Sequence, residues 1–71
     1  MAKRQLVDLQ LTRDGTPVGD RYTSAVDPSD PADKRGLFRD ALTRADVAGD
    51  GFRIRVWRRG TGEELFVFPA A

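Results

Sequence analysis

One stretch of the chain, residues 52–68, constrains the fold more than any other because it has the pattern of a β-hairpin. Phe52, Ile54 and Val56 alternate with Arg53, Arg55 and Trp57, which is the two-residue period of a half-buried strand. Residues 60–62, Gly-Thr-Gly, tolerate the backbone angles of a tight turn. Apolar residues resume at 65–68, and Pro69 ends the second strand. This stretch therefore predicts two antiparallel strands.

The length of the turn sets the register of this hairpin. A turn centred on residues 61–62 pairs Trp57 with Phe66 and Arg55 with Phe68 on one face of the sheet. These pairs add an aromatic contact and a cation–π contact, whereas a three-residue loop would lose both. The sequence therefore favours the first register.

Two more strands are predicted near the N-terminus. Residues 5–13 alternate between apolar and polar side chains and end at the turn dipeptide Asp14-Gly15. A weaker strand follows at residues 18–26, in which Val18, Tyr22 and Val26 are expected to face inward. A glycine inside this strand favours an edge position or a β-bulge.

A helix is predicted between the two hairpins. Asp30 is suited to cap its free N–H groups, a proline follows at the first helical position, and Asp33 favours the positive end of the helix dipole. Apolar residues at helical spacing continue to about residue 47. Asp27, Asp30 and Asp33 are also evenly spaced, but capping explains their types without a metal ion, so no metal site is predicted.

The resulting order, β-β-α-β-β, predicts an α+β fold with a four-stranded sheet and one helix packed on one face. The favoured strand order is 2-1-4-3, with the first and last strands parallel at the centre, which resembles β-grasp domains in element order alone. The alternative is a fully antiparallel sheet made from the two hairpins. Residues 1–71 are expected to form a single small domain.

The composition argues against several chemistries. It contains no cysteine and no histidine, so it has no thiol or imidazole to bind a metal or to activate a nucleophile. These absences predict a non-enzyme without a cofactor. The lack of a long apolar segment or a signal-peptide core predicts a cytoplasmic protein without a membrane partner. The preference for arginine over lysine is typical of a GC-rich genome, such as that of an actinobacterium or its phage.

The open face, meaning the sheet face opposite the helix, is the predicted binding surface. Contiguous exposed aromatic and arginine side chains are typical of interfaces between proteins. The hypothesis is a non-enzymatic accessory or regulatory module that binds a protein partner through this face or a sheet edge. The candidate partner-binding residues are Arg53, Arg55, Trp57, Arg59, Phe66 and Phe68.

Three other interpretations use the same residues. The stripe formed by Arg53, Arg55, Trp57 and Arg59 is chemically similar to surfaces that stack single-stranded nucleic acid, although a net charge of +1 argues against a generally basic binder. The face could instead join two copies of the chain in a homodimer, as in a self-associating structural subunit. Finally, the arginine stems could lie over the rings and only stabilise the hairpin.

Overall fold

The computed structural model describes residues 3–70 and confirms the α+β class, the element order and a helix on one face of the sheet. Its elements are strand β1 (Gln5–Arg13), strand β2 (Thr16–Val26), helix α1 (Pro31–Ala45), strand β3 (Phe52–Arg58) and strand β4 (Glu64–Phe68). Each hairpin predicted from the sequence is present, as β1–β2 and β3–β4.

The strand order is β2-β1-β3-β4, and every neighbouring pair is antiparallel. This is the alternative arrangement, so the favoured order 2-1-4-3 with parallel central strands is corrected: β3, not β4, lies beside β1. The strand β3 carries arginines at residues 53 and 55. They are compatible with a central position because the open face leaves Arg53 and Arg55 in water, while Ile54 and Val56 reach the core on the other face.

The core lies between the helix and the three strands β1, β2 and β3. Its buried apolar residues are Val7, Leu9, Leu11, Val26, Leu37, Ala41, Phe52, Ile54 and Val56. Phe38, Leu42 and Leu65 lie at its margin and are only partly buried. Val67 pairs with Arg55 and therefore lies on the open face instead.

The strand β2 lies at a sheet edge and is irregular at the glycine that the sequence marked as a weak point. Its register with β1 shifts between Leu9 and Leu11, and Gly19 has a φ of 72° in the left-handed region. The side-chain amide of Gln10 donates hydrogen bonds to the carbonyl oxygens of Val18 and Gly19, at 3.3 and 2.9 Å. The predicted bulge is confirmed, and it bends the strand beside the helix.

The register of the β3–β4 hairpin differs from the predicted one. Ile54 pairs with Phe68 and Val56 pairs with Phe66, after which the register shifts by one residue. Residues that pair directly across two strands share a face of the sheet. Phe66 and Phe68 therefore lie on the helix face with Ile54 and Val56, and their predicted placement beside Trp57 on the open face is wrong.

The connecting loop explains the change of register. The N–H of Arg58 donates to the carbonyl of Glu63 at 2.7 Å, and the N–H of Gly62 donates to the carbonyl of Arg58 at 3.0 Å. The loop is thus closed by Arg58 and Glu63, and Trp57 next pairs with Glu64. One extra residue in β4 then moves its phenylalanines to the other face.

The helix begins and ends at aspartates. The Asp30 carboxylate accepts a hydrogen bond from the N–H of Ala32 at 3.0 Å, which confirms the predicted cap. At the other end Asp46 adopts a left-handed conformation with a φ of 56°, and the helix stops before the predicted residue 47. Within residues 3–70, no helix is long and apolar enough to cross a membrane.

The cap makes a measurable contribution to stability. We expect Asp30→Ala to lower the free energy of unfolding by about 0.5–2 kcal/mol, because the first helical N–H groups lose their acceptor. Urea denaturation of both proteins measures the change. Asp50→Ala is the matched control, since Asp50 is an exposed loop residue and its loss should cost less than about 0.5 kcal/mol. Equal decreases in the free energy of unfolding of the two variants would show that Asp30 does not stabilise the helix as a cap.

Candidate functional site

The open face holds four of the six residues that the sequence singled out for partner binding. Arg53, Arg55 and Trp57 alternate along β3, and Arg59 follows directly after it. The guanidinium carbons of Arg21 and Arg55 lie 4.2 and 5.1 Å from the centroid of the Trp57 ring. The indole is therefore flanked by arginines, a contact worth about 0.5–1 kcal/mol for an exposed pair.

Two of these arginines also form ion pairs within the sheet. Nε of Arg55 lies 2.8 Å from a carboxylate oxygen of Glu64. Nη1 of Arg59 donates to the hydroxyl of Thr23 at 2.6 Å and lies 3.5 Å from Asp8, to which that hydroxyl donates in turn. The open face thus neutralises part of its own positive charge, and its role in binding a partner stays a prediction.

The other two candidate residues, Phe66 and Phe68, are separated from this face by the sheet. The Phe68 ring packs against Phe38 of the helix in an edge arrangement, with the centroids 5.7 Å apart. The Lys34 ammonium lies 4.9 Å from the centroid of Phe66. Both phenylalanines fix the helix on the sheet, and the six predicted residues do not form one surface.

The aspartates before the helix form an internal hydrogen-bonded cluster. Asp27 accepts hydrogen bonds from the N–H and hydroxyl of Ser29 and from the N–H of Lys3, so the pKa of Asp27 lies below its ordinary value. The Asp33 carboxylate accepts a hydrogen bond from the N–H of Asp27 at 2.7 Å and forms an ion pair with Arg4. Both contacts lower the pKa of Asp33 as well. These bonds hold the β2–α1 connection in place.

A cavity of about 210 Å³ lies between β2 and α1 at the β2 edge of the sheet. The bulge in β2 bends the strand here, while the helix contributes small alanine side chains, so the two surfaces do not close on each other. The lining is mixed, with apolar groups only slightly in excess, and three side chains supply polar groups. The lining residues are Leu11, Val18, Gly19, Asp20, Tyr22, Ala41, Arg44 and Ala45.

Tyr22 is the most unusual polar group of this cavity. Its hydroxyl oxygen is buried and has no hydrogen-bond partner among the described residues. Burial raises the pKa of Tyr22, and the nearby Asp40 carboxylate raises it further without making a well-formed hydrogen bond, while Arg44 opposes the change. The guanidinium of Arg44 stacks on the ring at 4.2 Å from its centroid. A buried hydroxyl without a partner costs about 1–3 kcal/mol.

The sequence placed Tyr22 on the inner face of its strand but did not indicate a cavity. The alanines of the helix fit an ordinary apolar stripe, and nothing local shows that the strand opposite them bends away. The one available indication was the combination of a single tyrosine with a glycine three residues earlier in the same strand. A buried hydroxyl without a partner, beside a cavity, marks a candidate binding site.

Comparison with known proteins adds a partial match. No protein-family model and no solved structure matches the chain at a significant level. The chain is 50% identical over 45 residues to the peptide methionine sulfoxide reductase MsrA of Clavibacter michiganensis subsp. michiganensis. It is also 50% identical over 42 residues to the enzyme of the same name from Clavibacter sepedonicus.

The two matches cover 63% and 59% of this chain but 25% and 23% of the two reductases. The chain thus spans about a quarter of the length of the curated relatives that it matches. The matches contradict the prediction of a non-enzymatic interaction module, because both relatives are named as enzymes. That prediction rested on the absence of cysteine and histidine from these 71 residues.

Proposed function

We propose that this chain takes part in the reduction of methionine sulfoxide in peptides by holding the methionine sulfoxide side chain in the cavity between β2 and α1. The observation that carries the proposal is the 50% identity to two reductases that are named for this substrate. The cavity supports it on independent grounds, because its size and lining suit a side chain that is apolar except for one strong acceptor.

The volume of the cavity fits the methionine sulfoxide side chain. A cavity of about 150 Å³ holds a benzene molecule, so about 210 Å³ accommodates a side chain of the size of methionine sulfoxide, which has fewer heavy atoms than benzene. Leu11, Val18 and Ala41 would contact its methylene and methyl groups. The sulfoxide oxygen is the polar end, and it needs a donor that the apolar walls do not supply.

Tyr22 supplies that donor. A tyrosine phenol is protonated at neutral pH, and the upward shift of its pKa here does not change that, so the hydroxyl can donate a hydrogen bond that the sulfoxide oxygen accepts. Because the Tyr22 hydroxyl is buried, a ligand would have to displace a neighbouring side chain to reach it. Arg44, which is exposed and stacked on the Tyr22 ring, is the side chain proposed to move and to offer a second donor. Binding then satisfies a hydroxyl that is otherwise buried without a partner.

Reduction of the bound sulfoxide requires an external source of electrons. The sulfur–oxygen bond breaks and the oxygen leaves as water, while two thiols give up two protons and two electrons and join as a disulfide. These 71 residues contain no cysteine, so both thiols lie outside them. The part assigned to this chain is to bind and orient the sulfoxide.

Calorimetric titration of the chain with two small ligands tests the proposal. One ligand is N-acetyl-methionine sulfoxide amide, and the matched control is the same compound without the sulfoxide oxygen. We expect the sulfoxide to bind at least about tenfold more tightly, because only it accepts a hydrogen bond from the cavity. Equal affinity for both compounds, or binding of neither, would contradict the proposal.

A further inference from the structure

We infer that the free edge of β2 is a docking site for the peptide backbone that carries the methionine sulfoxide. The peptide adds to the sheet as an extended strand beside β2 and places one side chain in the adjoining cavity. This inference rests on the proposed function and specifies how its substrate is held. It explains why a peptide, rather than the free amino acid, would be the preferred ligand.

The position of β2 in the sheet provides the first argument. The strand Thr16–Val26 is eleven residues long and pairs only with β1 among the described strands. Its outer edge therefore presents N–H and C=O groups that no neighbouring strand of residues 3–70 uses. Such an edge is a template for another extended chain. The opposite edge strand, β4, is only five residues long.

The position of the cavity provides the second argument. Half of its lining residues belong to β2, and they cluster at Val18, Gly19, Asp20 and Tyr22. Val18 and Tyr22 pack against the core and therefore project toward the helix side of the sheet. Side chains alternate between the two faces of a strand, so an added strand would direct every second side chain to this same side. One of these side chains would enter the cavity while the peptide backbone stays hydrogen-bonded to β2.

Polar groups along the strand provide the third argument. Asp20 is exposed and lines the cavity at the irregular part of the strand. The bend at Gly19 limits long regular pairing, which discourages the sheet of a second copy from extending across the whole edge. The regular part, which pairs residues 22–26 with β1, suits a short peptide.

Two peptides with blocked backbones test the inference. Both are five-residue peptides with methionine sulfoxide at the centre, and each carries N-methyl groups on alternate residues. In one peptide these are the central residue and the two ends, and in the other they are the second and fourth residues. The unmodified peptide should bind about tenfold more tightly than N-acetyl-methionine sulfoxide amide, because backbone hydrogen bonds add to the side-chain contact.

The two modified peptides should then differ. In an added strand, only every second residue points its N–H group toward β2. The peptide whose N-methyl groups replace those N–H groups should lose the tenfold gain in affinity, whereas the peptide methylated on the alternate residues should keep it. Amide NMR signals from Thr16–Val26 should shift on binding, while those from Glu64–Phe68 should not. Equal affinity of the two modified peptides would overturn edge docking, whereas failure of the small sulfoxide to bind would overturn the proposed function itself.

Discussion

Replacement of Leu9 by alanine should lower the free energy of unfolding by about 2–5 kcal/mol, which is a large share of the stability of a small domain. The side chain is 0% exposed and lies in the central strand β1, where it pairs with Tyr22 on one side and Val56 on the other. Alanine would leave a cavity that three strands and a helix cannot close. Thermal and urea denaturation both measure the loss.

The chain contains a matched control for this experiment. Leu6 lies in the same strand but on the open face, and it is 60% exposed. Leu6→Ala makes the same chemical change without opening a buried space, so it should cost less than about 0.5 kcal/mol. Similar losses for the two variants would show that the helix does not cover the face on which Leu9 lies.

Tyr22→Phe should weaken the binding of methionine sulfoxide about tenfold, because the sulfoxide oxygen loses its donor while the shape of the cavity is kept. Affinity for the unoxidised compound should stay the same. The fold should be unaffected or more stable, by up to about 1 kcal/mol, because the variant removes a buried hydroxyl that has no partner. Calorimetry and denaturation together separate these effects.

A neighbouring hydroxyl provides the control for Tyr22. Thr23→Val removes a hydroxyl from the adjacent residue, which lies on the open face and bonds to Asp8 and Arg59. Sulfoxide affinity should not change in this variant. If Tyr22→Phe instead destabilised the fold and left the affinity unchanged, the hydroxyl would be a structural partner of Asp40 rather than a ligand donor.

The sequence predicted well those elements that depend only on residues close together along the chain. The turn at Asp14-Gly15 and the cap at Asp30 follow from residue types at fixed local spacing, and both are present. The alternation of Val7, Leu9 and Leu11 also holds, because one covered face of a sheet selects every second residue.

The strand order depends on a property that local patterns do not contain. The strand β4 is apolar on both faces, a pattern typical of a central strand, yet it lies at an edge and its two faces have different surroundings. Phe66 and Phe68 pack at the margin of the helix, while Val67 pairs with Arg55 on the open face. An edge strand can therefore be apolar on both faces when a helix overhangs one of them.

The residues of the candidate site could not be predicted from the sequence for a related reason. A single extra residue in β4 exchanged its faces, since a shift of one position reverses every side chain. This shift separated Phe66 and Phe68 from Trp57. The cavity beside Tyr22 depends on the distance between a bulged strand and a helix, and its alanines are typical of any packed helix. Neither feature has a local residue pattern of its own.

The pairing of β1 with β3 has a consequence for the order of events during synthesis. Val7 pairs with Arg58, so the centre of the sheet joins residues that are far apart in the sequence. The first hairpin and the helix leave the ribosome before β3 exists, and β1 then has an unpaired inner edge beside exposed valine and leucine side chains. Such an edge pairs readily with other chains. A nascent chain that stalls before β3 should therefore be prone to aggregate, and arrival of the second hairpin ends that risk.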